Sequence, residues 1–407
     1  MGNYFPTEMI QYIQDKNEGM RINFKKYSFE EFVKEERQEM DYSNKSFNTY
    51  STVTYIPIVY FPPALGIIVS KIVAKIIGMK MVSTSYMLYF ARLFSLIATV
   101  GITALAIKIT PMRKKTFLTV GLIPMYLFLS SMVSYDNLLN SSLLLALAII
   151  LNVTYKKEKI ELKDFVILGI IGTILLNIKT IYFLIFMLMF LIPVKKFGVR
   201  KDKIKKGLFL LGGILLLTII LKIPYLFLDN SNNANIYIGK QINFILNNPI
   251  EYFKILILNI KDQRLFQLTS MVGLTGLLDV NNPIAIVSLT YINLLMIGLA
   301  EGITEDFKIS RASKIVIIIY DLLSIICIYT ALYITWTPGI FNKIGTNIIT
   351  GVQGRYFLPL VMPSLLLLSF NKGKKMKIWK MIQDNHLLVP IILLLITIGN
   401  IFLRFWI

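Results

Sequence analysis

Cysteine and histidine are almost missing from this chain: Cys327 and His386 stand alone among 407 residues. One cysteine excludes an intrachain disulfide and any cysteine-based metal site. One histidine, set beside a basic loop, excludes a histidine-rich metal site and points to no histidine-based catalysis. Charge is scarce too, at 16% of residues where a soluble protein carries roughly 25%. Acidic residues are the rarer sign, 23 against 43 lysines and arginines, for a net charge of +20. There is no P-loop, no GxGxxG and no HExxH, so nucleotide hydrolysis and zinc proteolysis have no support. The chain does not open on a basic start followed by an apolar stretch, so no signal peptide is read there.

What the chain has in abundance is apolar sequence: 55% of residues are hydrophobic and mean hydropathy is +0.65. Runs of about membrane length recur from residue 86 onward. They are continuous rather than alternating, which excludes a β-barrel. The fold class is all-α, a polytopic integral membrane protein with about ten transmembrane helices and additional extracytoplasmic juxtamembrane helices. The surplus of base lies in short loops between spans, not on a soluble face with interleaved aromatics. It therefore reads as cytoplasmic loop charge facing an anionic leaflet, and nucleic acid is not an expected partner.

The loops alternate between basic and nearly uncharged, and that alternation sets orientation. PMRKK, KKEKIELK, KKFGVRKDKIKK and NKGKKMKIWK are basic, hence cytoplasmic. Spans are expected at about 86–109, 116–133, 137–154, 207–228, 283–300, 315–335, 355–370 and 387–407. Residues 164–193 have basic flanks on both sides, which requires an even number of crossings. They read as two short helices of about 14 residues, roughly 21 Å each, meeting at Lys179. The break should sit sunken in an external funnel rather than in lipid. The polar stretch 229–282 is external, with interfacial helices such as PIEYFKILILNI. Residues 29–40 read as a short amphipathic helix. Residues 57–78 are apolar, but Pro57, Pro62 and Pro63 crowd their start, and Lys71 and Lys75 share one helical face. If they cross the membrane, residues 1–55 are cytosolic; if they lie on the outer surface, the N-terminal segment is external as well.

This organisation gives four parts: an extracytoplasmic first loop with juxtamembrane helices over 1–85, a first helical bundle over 86–228, an external loop over 229–282, and C-terminal transmembrane helices over 283–407. It also brings the unusual polar residues to external span ends. Asp136 opens a span in SYDNLLN, where an aspartate either caps the helix or contacts a phosphate, metal or sugar hydroxyl. Lys179 interrupts an apolar run, at a cost of about 2.5–3.5 kcal/mol for a charge at mid-bilayer, and either snorkels or holds an anionic lipid phosphate. Arg355 opens the late span in GVQGRYFLPL; Gly351 and Gly354 allow close backbone approach, arginine can fork two hydrogen bonds to a phosphate, and Gln353 and Tyr356 can add to them. Arg92 in YFARLF is either a further phosphate contact or a helix–helix polar contact. Two cations and a carboxylate on one outer face suit chemistry on a lipid-linked phosphate. A divalent cation is not indicated.

Several segments resemble bacterial membrane proteins of domain-of-unknown-function family 2142: YIPIVYFPPALGIIVSKIVAKIIG with YFARLFSL, SYDNLL, LTSMVGLTGLLD and, most specifically, GVQGRYFLPLVMP. That family is similar to the GT-C superfamily of polyprenyl-phosphate-sugar glycosyltransferases. The resemblance covers roughly residues 50–370. It implies a catalytic acid in the first external loop and a proline-rich juxtamembrane start, which Tyr60, Pro62 and Pro63 resemble. It also implies a span opening with Arg-Leu, as at Arg92 and Leu93, and phosphate-site residues where Asp136, Lys179, Arg355 and Tyr356 stand. The family's usual Pro-Asp-Glu appears here as Pro6, Thr7 and Glu8, so Glu8 is the expected base, with Asp41 behind it. A first span is not evident ahead of this loop. The resemblance favours the outer-surface placement of 57–78. The implied function is transfer of a sugar from a polyprenyl-phosphate carrier to a cell-surface glycan at a bacterial plasma membrane. The implied partners are the lipid-linked sugar, a glycan acceptor and the bilayer, with no cofactor. The alternatives are a flippase of lipid-linked glycans and a non-catalytic, truncated assembly partner.

Overall fold

The computed structural model describes residues 2–19, 25–36, 41, 43–49, 57–79, 82–226, 234–276, 279–368 and 377–406. The protein is predominantly helical. Seven described helices are long and apolar enough to cross a membrane: Pro57–Ile76, Thr84–Ile109, Asp136–Tyr155, Arg200–Ile223, Ile284–Thr304, Arg311–Phe341 and Leu388–Phe405. The chain is therefore an all-α, multi-pass membrane protein.

A small module comes first. Strand β1 (Gly2–Pro6) pairs antiparallel with β2 (Lys45–Thr49), and between them lie α1 (Thr7–Asn17) and α2 (Phe29–Glu36). The expected helix over 29–40 is present to Glu36; its remainder falls outside the described residues. The module docks through aromatic edges: Tyr27 against Trp406 at 5.0 Å and Phe32 against Tyr89 at 5.9 Å between ring centroids. It thus sits at the end of the bundle where α4 (Thr84–Ile109) begins and the C-terminal helix finishes.

Helix α3 (Phe61–Ile76) packs along α4 through a stripe of small residues, Gly66, Ser70 and Ala74, spaced by four. Small residues at this spacing let membrane helices approach closely. A Cβ at Gly66 would lie 2.4 Å from the Phe90 carbonyl oxygen. Helix α4 carries its own stripe of buried small residues, Ala91, Ser95, Thr99 and Thr103, and Thr99 donates to the Asn137 carbonyl at 2.8 Å. Ser83 caps α4 by accepting from the Tyr86 N–H.

The span expected over 116–133 is instead two short helices, α5 (Lys114–Gly121) and α6 (Pro124–Ser130). Pro124 has no N–H to continue the first helix and is well placed to begin another. Helix α7 (Asp136–Tyr155) is the hub of the bundle: 83% of it is buried, against 28% of α4. Residues 162–191 form α8 (Leu162–Ile178) and then a 3₁₀ helix, Thr180–Leu191, parted at Lys179, whose backbone is extended. The break falls where the sequence places it, although the second arm is 3₁₀ rather than α.

Helix α9 (Arg200–Leu226) follows, then α10 (Ala234–Asn247) and α11 (Pro249–Val272) within the polar stretch. A two-residue pairing of β3 (Leu274–Thr275) with β4 (Val280–Asn281) leads to α12 (Ile284–Thr304), α13 (Arg311–Thr335) and α14 (Thr337–Phe341). Helix α15 (Leu358–Leu366) is shorter than the span expected over 355–370. Helices α16 (Lys377–Asp384) and α17 (Leu388–Phe405) complete the chain.

The basic end of the bundle is fastened by buried polar groups. Glu301, at the end of α12, accepts the N–H groups of Lys115 and Thr116 and the Thr116 hydroxyl at 2.6–3.0 Å, capping α5 from another helix. Arg113 is 1% exposed, donates to the Gly298 carbonyl, and pairs with Glu305 at 3.8 Å. Burial and the neighbouring Glu301 raise the Glu305 carboxyl to about 7.

Candidate functional site

At the other end, three charges from three distant parts of the chain meet. Asp136 is the first residue of α7 and its side chain is 7% exposed. The N-cap position belongs to Tyr135, so Asp136 is the first helical residue rather than the cap, and its carboxylate faces two cations. Lys179 Nζ lies 3.5 Å from one carboxylate oxygen, and Arg355 Nη1 lies 3.6 Å from the other. Both contacts are ion pairs longer than an ordinary hydrogen bond. The Lys179 ammonium also sits over two rings, 4.2 Å from the centroid of Tyr356 and 4.8 Å from that of Tyr135. The Arg355 guanidinium lies 5.4 Å from the Tyr356 ring.

Each member is placed by local necessity. Lys179 occupies the extended residue where α8 stops, so its side chain leaves the helix axis instead of running along a face. Tyr182, in the first turn of the 3₁₀ helix, donates to the Tyr356 carbonyl at 2.9 Å and ties the two segments together. Arg355 lies in a short 3₁₀ turn, Gly354–Phe357, after a stretch without regular secondary structure, residues 346–353, and this segment is pinned to α11 by a row of side chains. Asn259 donates to the Asn347 carbonyl and accepts the Ile349 N–H, both at 2.8 Å. Gln263 donates to the Ile349 carbonyl at 2.7 Å and Gln267 to the Val352 carbonyl at 3.0 Å. Ser270 Oγ accepts the Gly354 N–H at 2.9 Å. Asn259, Gln263 and Gln267 recur every four residues, one face of a helix. That spacing is the signal for this row within the polar stretch 229–282.

The two glycines of GVQGRYF have separate reasons. Gly351 has φ +81°, and a Cβ there would fall 2.5 Å from the Trp336 ring. Gly354 lies so close to α11 that a Cβ would be 2.2 Å from the Met271 nitrogen and 2.3 Å from the Gln267 oxygen.

Several polar atoms here are buried with hydrogen-bonding capacity unused: Lys179 Nζ, Arg355 Nε, Gln353 Oε1, Ser134 Oγ and both side-chain polar atoms of Asn137. Buried polar atoms are rarely left unpaired. A small anion would satisfy the two cationic donors, and the carboxylate between them leaves one positive charge uncompensated.

Not every residue singled out from sequence joins this group. Arg92 donates to the Ser131 carbonyl at 3.2 Å, a contact between α4 and the end of α6. Glu8 lies on α1 in the N-terminal module, where its carboxylate accepts the Asp41 N–H at 3.0 Å. Among the described residues no ion pair joins Glu8 to Lys179 or Arg355. Asp41 in turn accepts from Ser43. Asp321, the one acid within the apolar run of α13, was not foreseen; it accepts from Ser364 at 3.0 Å in a groove of about 450 Å³ beside Phe357. Among the described residues no group of three His, Cys, Asp or Glu side chains gathers as a metal-ligand set.

A family model described as predicted membrane protein (DUF2142) matches residues 9–363. No curated protein and no solved structure matches the chain. The chain belongs to the DUF2142 family of predicted membrane proteins.

Proposed function

We propose that this membrane protein transfers a sugar from a polyprenyl-phosphate carrier to a surface glycan at the outer face of a bacterial plasma membrane. The observation that carries the reading is the convergence of Lys179 and Arg355 on Asp136, with Lys179 Nζ and Arg355 Nε buried and unsatisfied. Charges at a span end are retained at a cost, and paired ones mark substrate paths. A cation pair with spare donors suits a phosphate whose negative charge grows as it leaves.

In this mechanism the acceptor hydroxyl oxygen attacks the anomeric carbon. The bond from that carbon to the phosphate oxygen breaks, and polyprenyl phosphate departs between Lys179 and Arg355. Asp136 holds the two cations at their spacing, and Gln353 and Tyr356 flank them. The hydroxyl proton passes to a carboxylate, for which Glu8 is the candidate, carried by the module docked at Tyr89 and Trp406. A direct displacement of this kind inverts the anomeric configuration. Arg92 serves as a positioning residue through the Ser131 carbonyl.

The architecture we infer is GT-C-like with ten crossings. Six are the long helices α4, α7, α9, α12, α13 and α17. The others are the α5–α6 pair, the two arms meeting at Lys179, and α15. Helix α3, the seventh long apolar helix, is assigned in this reading to residues 1–85 at the outer side, where its Gly66 meets the first turns of α4, and 229–282 forms the second external loop.

The test uses the purified chain in proteoliposomes with polyprenyl-phosphate sugars labelled in the hexose. Transfer to acceptor and release of polyprenyl phosphate should both vanish in Lys179→Ala/Arg355→Ala. Transfer at the native rate by that double variant removes the phosphate role from these residues.

A further inference from the structure

The basic end of the bundle holds a second feature that the sugar-transfer reading does not use. Between the 3₁₀ helix Thr180–Leu191 and α9 lies a groove of about 670 Å³. Helix α9 is the most peripheral candidate span, with 11% of Arg200–Ile223 buried, so the groove opens to the bilayer and not to an aqueous cleft. Its walls are apolar, set by residues such as Phe186, Phe190, Leu208 and Leu211. Its mouth is cationic. Arg200 is exposed there, and Lys203 donates to the Ile192 carbonyl at 2.6 Å, with its ammonium 5.5 Å from the Phe197 ring and 5.9 Å from that of Phe190. Asp202, the one acid in KKFGVRKDKIKK, turns back to the Val199 N–H at 3.4 Å.

We propose that this groove binds an anionic phospholipid of the cytoplasmic leaflet, its phosphate at Arg200 and Lys203 and an acyl chain along the phenylalanines. Three arguments select this occupant. The charge of the loop assigns it to the cytoplasmic side, where the leaflet is anionic. Arginine and lysine together at an apolar rim match a phosphodiester lying above hydrocarbon. A soluble phosphate compound would leave the apolar walls uncovered, and a zwitterionic headgroup would bring a second cation to a mouth whose own acid is engaged elsewhere. The site stands at the opposite end of the bundle from Lys179 and Arg355, so its failure and the failure of the sugar-transfer reading are separate results.

The experiment titrates the full-length, delipidated protein in neutral detergent with dioleoylphosphatidylglycerol, dioleoylphosphatidylcholine or glycerol phosphate, and counts bound molecules by native mass spectrometry. Phosphatidylglycerol should bind at one saturable site. Phosphatidylcholine and glycerol phosphate should bind at least tenfold more weakly (about 1.4 kcal/mol per tenfold). Arg200→Ala/Lys203→Ala should weaken phosphatidylglycerol by about ten- to thirtyfold. Lys195→Ala/Lys201→Ala, the same charge removed outside the groove, should not. Gly207→Phe places a ring in the groove from a position with no heavy atom within 4 Å of its Cβ and should also abolish the site with the rim intact. Equal binding of glycerol phosphate, equal losses in the two double alanine variants, or undiminished binding in Gly207→Phe would each overturn the proposal.

Discussion

A single methyl group at Gly354 probes how Arg355 is positioned. The Cβ of Gly354→Ala would stand 2.2 Å from the Met271 nitrogen, 2.3 Å from the Gln267 oxygen and 2.5 Å from Ser270 Oγ. Ordinary contacts lie at about 3.5–4.0 Å, so the chain must retreat from α11 by roughly 1 Å. Two of the opposing atoms belong to backbone and cannot turn aside. The retreat loosens the Gly354 N–H bond to Ser270 and the Gln267 bond to the Val352 carbonyl, at about 1 kcal/mol each. Overpacking adds about 1–3 kcal/mol, for a total of about 3–5 kcal/mol. Arg355 is the next residue, and a shift of about 1 Å in a charge-positioning group costs on the order of 10²-fold in rate. Thermal melting and sugar transfer, measured on the same preparation, read the two consequences. Gly339→Ala, where no heavy atom lies within 4 Å of the Cβ, is the control. A Gly354→Ala protein that melts and transfers like the native one would refute the argument that close packing on α11 sets the arginine.

Asp136→Asn leaves Lys179 and Arg355 facing each other without their shared carboxylate. Breaking a buried pair costs about 3–5 kcal/mol, and the partial exposure of the cations, 20% and 28%, brings the expectation to about 2 kcal/mol. Polyprenyl phosphate should restore more melting temperature to this variant than to the native protein; equal gains count against a shared anion site. Glu8→Gln should lower the rate of transfer while leaving polyprenyl-phosphate affinity unchanged, and an unchanged rate removes Glu8 as the base. Glu305 supplies a pH dependence: its folded-state pKa, about 7, lies above the ordinary carboxyl value. Its contribution to stability is therefore complete at low pH and is lost as pH rises through about 7. Melting curves should show the native protein losing ground to Glu305→Gln between about pH 5 and 8, and parallel curves contradict that.

The sequence made the membrane class legible because hydrocarbon thickness imposes long apolar runs. It also brought Asp136, Lys179 and Arg355 to one end, because loop charge sets which span ends share a face. Glycines 351 and 354 were legible for the same kind of reason: close approach leaves few alternatives to glycine. What escaped was the means of holding. The Asn259–Gln263–Gln267 row bonds to backbone carbonyls some 85–90 residues away, a pairing that helical spacing suggests but cannot address. Arg113 and Glu301 escaped likewise; in sequence each is one more charge near a loop, and only packing makes them the clasp between α5 and α12. The break at Gly121–Pro124 was hidden by apolar continuity, since hydropathy averages over a proline whose effect is on hydrogen bonding. Glu8 rests on a partial motif, with Thr7 where the family has Asp, and its carboxylate accepts the Asp41 N–H in the N-terminal module.

Binding of a polyprenyl phosphate to the purified protein is the most direct measurement, because it needs neither the sugar nor the acceptor. Saturable binding that falls by two orders of magnitude or more in Lys179→Ala/Arg355→Ala, and survives Arg113→Lys at the opposite end, is the outcome predicted for about 1.5–3 kcal/mol from each charged hydrogen bond. Native affinity in the double variant would contradict a phosphate site between these two side chains.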